Sequence, residues 1–125
     1  MADPDLALSA YLQLAEISHT RGQWLPRNKF LILAGTAACA AGYLTIAQRC
    51  KELVSQHSPK HLLGRYESFP AALKSAEFQI YLQQLKKFCS LERAEHLLLG
   101  QGYQLEPATE VDANQYLLKM DGPAL

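Results

Sequence analysis

The chain has 125 residues, of which 49% are hydrophobic and 19% are charged, and its formal net charge is zero. This composition excludes an intrinsically disordered chain, and the length suits one domain, residues 1–125, with a core of its own. The charges are unevenly distributed, because residues 21–65 carry seven of the twelve Lys and Arg residues and only one carboxylate, Glu52.

The first predicted helix begins at Asp3-Pro4, where Asp suits the N-cap and Pro suits the first turn. Its polar residues recur at intervals of four, three and four, at Ser9, Gln13, Glu16 and Thr20. This spacing places them on one narrow stripe of a helix that is otherwise apolar and therefore expected to be largely buried. Gly22 is a suitable residue to end the helix.

The stretch Phe30–Ala47 contains no charged residue and is rich in Ala and Gly. We predict a connector at Gln23–Pro26, in which Trp24 folds back on the core, followed by a helix over Lys29–Ala41. Gly42 permits a turn, and the apolar spacing beyond it predicts a helix over Tyr43–Gln56. The small side chains predict that this hairpin is the closely packed centre of the fold.

The remaining sequence predicts a loop at His61–Tyr66, a helical turn near Pro70, and helices that begin after Ser75 and Ser90. Residues 103–125 form a C-terminal extension, with a short helix over Asp112–Met120 that Gly122-Pro123 ends. No strand is predicted. The expected fold class is all-α, with five or six helices in antiparallel hairpins, as a compact bundle or a stack of repeats.

A membrane span is an alternative interpretation of the same central stretch. The 19 residues of Phe30–Gln48 carry no charge, and this length approaches that of a transmembrane helix. The run is only modestly hydrophobic, however, and Gly42-Tyr43 falls where a break divides it into two ordinary helices. A helical hairpin in the core is therefore the preferred prediction.

Residues 28–61 also carry the spacing of a known repeat. The matching positions are Leu31, Ala34, Gly35 and Ala38 in the first helix, Ala47 in the second and Pro59 at the end. In length, turn position and stop, this segment resembles one tetratricopeptide unit, although Leu31, Ala38 and Lys51 occupy positions that are aromatic in that family. The resemblance implies stacked antiparallel helical hairpins.

Two basic-aromatic segments are the candidate functional surfaces. Arg21–Lys29 contains Trp24, and a second segment contains Lys60, His61, Arg65 and Tyr66. We predict a non-catalytic module that binds a protein partner through Trp24, Arg27, Lys29, Arg65 and Tyr66. If both segments lie at one end of the bundle, nucleic-acid binding is the alternative, because basic residues bind phosphates and aromatic rings stack on bases.

Other chemistry-bearing groups are sparse. His57 and His61, and likewise Glu92 and His96, are four residues apart, which is a metal-ligand spacing on a helix, but neither pair has the further ligands of a zinc site. Cys89 precedes a helix start, where a thiol can be activated. No nucleotide-binding or nucleophile-elbow motif occurs. We expect no enzyme activity, no metal and no cofactor.

The three cysteines, Cys39, Cys50 and Cys89, form no Cys-x-x-Cys motif and are odd in number. This usage is typical of reduced thiols. The first residues are acidic and do not have the charge pattern of a secretory signal. We therefore predict a cytoplasmic location.

Overall fold

The computed structural model describes residues 3–121, and over this range the backbone forms seven α-helices and no strand. The helices are α1 (Pro4–Thr20), α2 (Trp24–Ala41), α3 (Leu44–His57), α4 (Phe69–Leu73), α5 (Ala76–Phe88), α6 (Leu91–Gly100) and α7 (Glu110–Met120). A 3-10 turn, Leu62–Arg65, lies between α3 and α4 inside the predicted loop. The predicted all-α class is confirmed, and α4 is the single helical turn expected near Pro70.

Several helix starts follow from local side-chain caps. The Asp3 carboxylate accepts a hydrogen bond from the Asp5 N–H at 2.9 Å, which begins α1 as predicted. The hydroxyls of Ser75 and Ser90 accept from the backbone N–H three residues further on and begin α5 and α6. These caps satisfy N–H groups that have no partner within the helix.

The start of α2 differs from the prediction, because the helix begins at Trp24 and not at Lys29. Its first intrahelical hydrogen bond joins the Arg27 N–H to the Gln23 carbonyl at 3.0 Å. Pro26 lies in the first turn, where a backbone N–H would have no intrahelical partner. Trp24 therefore belongs to the helix and is fixed by it, and the connector is only three residues long.

The last helix also begins earlier than predicted, at Glu110 and not at Asp112. The Thr109 hydroxyl accepts the Asp112 N–H at 3.2 Å, and an Asp112 carboxylate oxygen accepts the Thr109 N–H at 3.0 Å. This reciprocal capping box fixes the start of α7. The predicted stop at Gly122-Pro123 lies outside the described residues.

The helix α2 lies at the centre of the bundle. It packs against α1 on one side and α3 on another, and α4 and α5 also contact it. Gly22 and Gly42 adopt left-handed backbone angles, with φ of 68° and 85°, and reverse the chain between α1, α2 and α3. The helices α6 and α7 both pack on α1, and α7 also contacts α3.

Small residues allow other elements to approach α2 closely. Ala34 and Ala38 are completely buried, and the backbone of Gly35 packs directly beneath the ring of Phe69 from α4. A Cβ atom at Gly35 would overlap that ring. The prediction that this stretch forms a closely packed seam is therefore confirmed.

The single helix that a membrane span over Phe30–Gln48 would require is not present in the structure. The helix α2 ends at Ala41 and a new helix, α3, begins at Leu44, so that the uncharged run is divided at Gly42. Over residues 3–121, no helix has both the length and the hydropathy that crossing a bilayer requires.

The C-terminal segment, residues 103–121, is packed on the rest of the bundle. Its side chains Ala113, Leu117 and Met120 are at most 1% exposed and belong to the same hydrophobic core as α1 and α2. The Ala108 N–H also donates to the Asp5 carbonyl at 3.1 Å. The core is therefore continuous from α1 to α7.

Candidate functional site

The Arg27 side chain lies in the interior, where the residue is only 4% exposed. Its Nε and Nη2 atoms donate to Asn28 Oδ1 at 3.2 and 3.0 Å, and Nη2 also donates to the Leu53 carbonyl at 3.1 Å. Nη1 lies 3.2 Å from His19 Nδ1. Within residues 3–121 no carboxylate forms an ion pair with this guanidinium.

The surroundings of Arg27 explain how a buried cation is tolerated. His19 lies in the last turn of α1, and the Leu53 carbonyl lies near the end of α3. The carboxyl ends of helices carry partial negative charge, which stabilises a cation held between them. Burial lowers the pKa of the Arg27 guanidinium below its ordinary value. The expectation of a surface Arg27 was wrong, because besides its neighbour Asn28 it has partners on two other helices, His19 on α1 and Leu53 on α3.

Trp24 packs over this buried group. Its ring lies 5.0 Å from the His19 ring in an edge-to-face arrangement and 5.6 Å from the His57 ring, measured between centroids. The Arg27 guanidinium carbon is 5.2 Å from the Trp24 ring centroid. Trp24 is half-buried. It closes the end of the bundle where α1 ends and α2 begins.

Lys29 lies apart from that cluster and contacts an aromatic ring. Its Nζ atom is 4.6 Å from the centroid of the Phe88 ring, and Phe88 also packs against Phe30 at 5.6 Å between centroids. Phe88 is 39% exposed and ends α5. This basic-aromatic pair remains available at the surface.

The other two predicted partner-binding residues contact a different part of the bundle. Arg65 pairs with Glu77 at 3.4 Å, and both side chains are largely exposed. The Tyr66 hydroxyl is hydrogen-bonded to Ser75 Oγ at 2.8 Å, and its ring packs edge-to-face on Phe78. The structure therefore brings Trp24 and Arg27 together but assembles no single surface from the five residues.

Of the histidines considered as metal ligands, His57 and His61 have other hydrogen-bond partners and His96 is exposed. His57 Nδ1 lies 3.0 Å from Asn28 Nδ2, and His61 Nε2 lies 3.0 Å from the Tyr81 hydroxyl. His96 is exposed. In the described part of the chain, no three His, Cys, Asp or Glu residues are grouped so that they could hold a metal ion.

Cys89 is buried in the core. The residue is 1% exposed, and burial raises the pKa of its thiol, while the positive charge of Arg93 lowers it to a smaller degree. A raised pKa is the opposite of what an activated thiol requires. Its carbonyl accepts a hydrogen bond from the Tyr11 hydroxyl at 2.9 Å, which ties α1 to the junction of α5 and α6.

An apolar groove of about 320 Å³ lies between α1, α2 and the α5–α6 junction. Seven of its lining residues come from α1 and α2, and all but Thr36 are small or largely apolar: Pro4, Ala7, Tyr11, Leu33, Thr36, Ala37 and Ala40. The third wall is formed by Leu91, Ser90 and Lys86. Lys29 lies one helical turn before Leu33 on the same side of α2, outside the lining of the groove, and contacts Phe88. We call this surface the apolar groove.

Two adjoining polar cavities, of about 290 and 310 Å³, lie on the opposite face of α1. The polar stripe predicted from the sequence forms their floor, and the C-terminal segment forms the facing wall. The shared lining residues are Gln13, Tyr116 and Lys119. We call the two cavities together the polar cleft.

For both the apolar groove and the polar cleft, the sequence indicated the wall formed by one helix but not the wall that packs opposite it. The spacing of Ser9, Gln13 and Glu16 marked a polar face, but nothing local indicated that α7 would lie opposite. The small residues of α2 marked close packing, but part of that face, at Ala37 and Ala40, is left open as groove. The missing information is which distant helices pair.

Comparisons with protein-family models, with curated proteins and with solved structures find no match to this chain.

Proposed function

We propose that the protein is a non-catalytic interaction module that binds an amphipathic helical segment of a protein partner in the apolar groove. The segment inserts small apolar side chains between α1 and α2 and places carboxylates against Lys86 and Lys29. The observation that supports this proposal is an open, mostly apolar groove with Lys86 in its lining.

The dimensions of the groove suit a helix. Its walls run from Pro4 to Tyr11 and from Leu33 to Ala40, eight residues each, so that the first and last residues of a wall lie about 10 Å or two helical turns apart. A helix laid in such a groove anchors through residues spaced by three, four and seven. Because Ala7, Ala37 and Ala40 have short side chains, the partner backbone can approach closely.

The charged residues at the two ends of the groove favour one orientation of the bound segment. Lys86 lines the groove, and Lys29 lies near its Leu33 end. Asp3 precedes Pro4 at the other end. A segment with Asp or Glu at the end that meets the lysines complements this pattern, and complementary charge favours one orientation and faster association.

The alternative function, nucleic-acid binding, needs the five basic and aromatic residues on one surface. Since Arg27 is buried and Arg65 faces Glu77, the geometry favours the groove instead. The resemblance of residues 28–61 to a tetratricopeptide unit stays a prediction, and so does the cytoplasmic location, which suits the free thiols of Cys39, Cys50 and Cys89.

The test is a selection from a displayed library of helical peptides with randomised faces. We expect the bound peptides to share small or branched apolar residues at helical spacing, with acidic residues at one end. Ala40→Phe fills the groove at an exposed position and is expected to abolish binding, whereas Ala76→Phe, at an exposed alanine outside the groove, preserves it.

A charge reversal at Lys86 tests whether the lysines at the edge of the groove attract acidic residues of the partner. Lys86→Glu is expected to weaken binding of the selected acidic peptides by about tenfold, and Lys74→Glu, at an exposed lysine outside the groove, is not. Failure to select any peptide, or equal binding by the Ala40→Phe and Ala76→Phe variants, would overturn the proposal.

A further inference from the structure

Two histidines contact the Trp24 ring at the end of the bundle where α1, α2 and α3 converge, in a cluster that we call the Trp24 corner: His19, Trp24, Arg27, Asn28 and His57. His19 Nδ1 lies 3.2 Å from Arg27 Nη1. Because a guanidinium donates hydrogen bonds and accepts none, the histidine nitrogen is the acceptor. His19 is therefore neutral in this structure, with its proton on Nε2.

Asn28 fixes the protonation of the second histidine, His57. Arg27 donates to Asn28 Oδ1 through Nε and Nη2 at 3.2 and 3.0 Å, so that the oxygen and the nitrogen of this amide cannot be exchanged. Asn28 Nδ2 then donates to His57 Nδ1 at 3.0 Å and to Ser58 Oγ at 3.2 Å. His57 Nδ1 is therefore also an acceptor, which requires a neutral ring with its proton on Nε2.

The surroundings compensate poorly for a proton on either ring. Within residues 3–121 neither histidine forms an ion pair with a carboxylate. Of the charged groups that face His19, Arg27 from α2 opposes its protonation and Glu16 from α1 favours it, with the smaller effect. From α3, His57 faces the same Trp24 ring. Protonation of both rings removes two hydrogen bonds and places three positive charges around Trp24, since the Arg27 guanidinium also contacts its ring.

The first turn of α2 lacks a side-chain cap of its own. Gln23 makes no capping hydrogen bond, and Leu25 in this turn is 70% exposed. The turn is joined to α1 and α3 through the Trp24 ring and through the hydrogen bonds to the two histidines. From Phe30 onwards, by contrast, α2 belongs to the hydrophobic core. The first turn can therefore separate from its neighbours without disrupting that core.

We propose that the Trp24 corner is a pH-sensitive switch: it is closed while His19 and His57 are neutral, and their protonation releases Trp24 and the first turn of α2 from α1 and α3. The rest of the bundle stays folded. Because burial and Arg27 lower the pKa of His19 from 6.5, the corner is fully closed above pH 6.5 and opens as the pH falls through that lowered pKa. The switch does not depend on the function proposed for the apolar groove.

Amide hydrogen exchange of the full chain, measured by NMR at pH 7 and pH 5, tests the switch. The Arg27 N–H, which donates to the Gln23 carbonyl, reports on the first turn of α2, and the N–H of the buried Leu117 reports on the core. We expect the protection factor of Arg27, corrected for the intrinsic exchange rate at each pH, to fall about tenfold at pH 5, while that of Leu117 is unchanged. No fall at Arg27, or an equal fall at Leu117, would overturn the proposal.

Glutamine variants assign the effect to the two histidines, because a glutamine amide can accept a hydrogen bond but does not titrate. With His19→Gln and His57→Gln combined, the protection factor of Arg27 is expected to be the same at both pH values, whatever its size. The fall is expected to persist in His61→Gln, whose ring contacts Tyr81 instead, and in the exposed His96→Gln. A double variant that keeps the fall, or its loss in either control, would contradict the proposal.

Discussion

Arg27 stabilises the interior of the bundle, although an arginine is normally expected at the surface. Three of its donor atoms are directed at Asn28, the Leu53 carbonyl and His19. Asn28 extends the network, since its Nδ2 atom also donates to the Ser58 hydroxyl at 3.2 Å. Because these partners belong to different helices, the guanidinium ties the ends of α1 and α3 to the start of α2.

Replacing Arg27 is therefore expected to cost far more than replacing Arg65. Arg27→Met leaves Asn28 and the Leu53 carbonyl without their donors and is expected to lower the free energy of unfolding by about 2–4 kcal/mol. Arg65→Met removes an exposed pair with Glu77 and is expected to change the free energy of unfolding by less than ~0.5 kcal/mol. Urea titrations of both variants measure the difference, and equal effects would contradict the interior role.

His19 makes stability depend on pH. Burial, and then the adjacent Arg27, lower its pKa from the ordinary value of 6.5, while Glu16 partly opposes them. The unfolded chain then binds a proton that the folded chain does not, so that the His19 contribution is complete above pH 6.5 and is lost as pH falls through the folded-state pKa.

The pH effect is measurable through Trp24, the only tryptophan, which contacts His19. We expect the urea midpoint, followed by tryptophan fluorescence, to fall between pH 7 and pH 5. His19→Gln should flatten this dependence, although His61, whose pKa is also lowered by burial, leaves a residual slope. The exposed His96→Gln is the control, and an unchanged slope in the His19 variant would refute the assignment.

At the scale of single elements, the sequence predicted the helix starts that are fixed by side chains close by in the chain. The starts of α1, α5 and α6 follow from Asp3, Ser75 and Ser90, whose side chains cap the next turn. The start of α2 was placed too late, because Gln23 makes no side-chain cap and so leaves no local signal. Its first turn is stabilised instead by contacts of Trp24 and Arg27 with other helices.

Gly35 gives the most direct test of the α2 seam. Gly35→Ala places a methyl group against the Phe69 ring and is expected to destabilise the protein by about 1–3 kcal/mol, despite the better helix propensity of alanine. Gly100→Ala meets no neighbour in α6 and is expected to be neutral or stabilising, by up to ~1 kcal/mol. Thermal and urea denaturation compare them, and a neutral Gly35→Ala would contradict the close packing.

At the scale of the whole molecule, the sequence predicted the class of fold but not the pairing of its helices. Residues 103–125 were predicted as a C-terminal extension of the one domain, and the sequence did not indicate that Leu117 and Met120 would be buried in the same core as the central hairpin. The spacing of apolar residues along α7 by three and four positions indicates that one face of the helix is buried, but it does not indicate which helix covers that face. Both candidate surfaces depend on such pairings, and neither could be found from local patterns.

The continuous core predicts that distant helices unfold together. Leu117→Ala in α7 is expected to cost about 2–5 kcal/mol, and Leu118→Ala, at a 53% exposed neighbour, less than ~0.5 kcal/mol. The Trp24 fluorescence transition should shift with the Leu117 variant and coincide with the loss of helical circular dichroism. Separate transitions by the two probes would show that α7 is not part of the cooperative unit.

The central functional claim is that the apolar groove receives the partner segment, and NMR titration with a peptide selected from the library tests it most directly. We expect amide shifts at Ala7, Ala37 and Ser90 on three walls of the groove, and none at Gln13. Shifts confined to Gln13 and the C-terminal segment, or centred on Trp24 and Arg65, would contradict it.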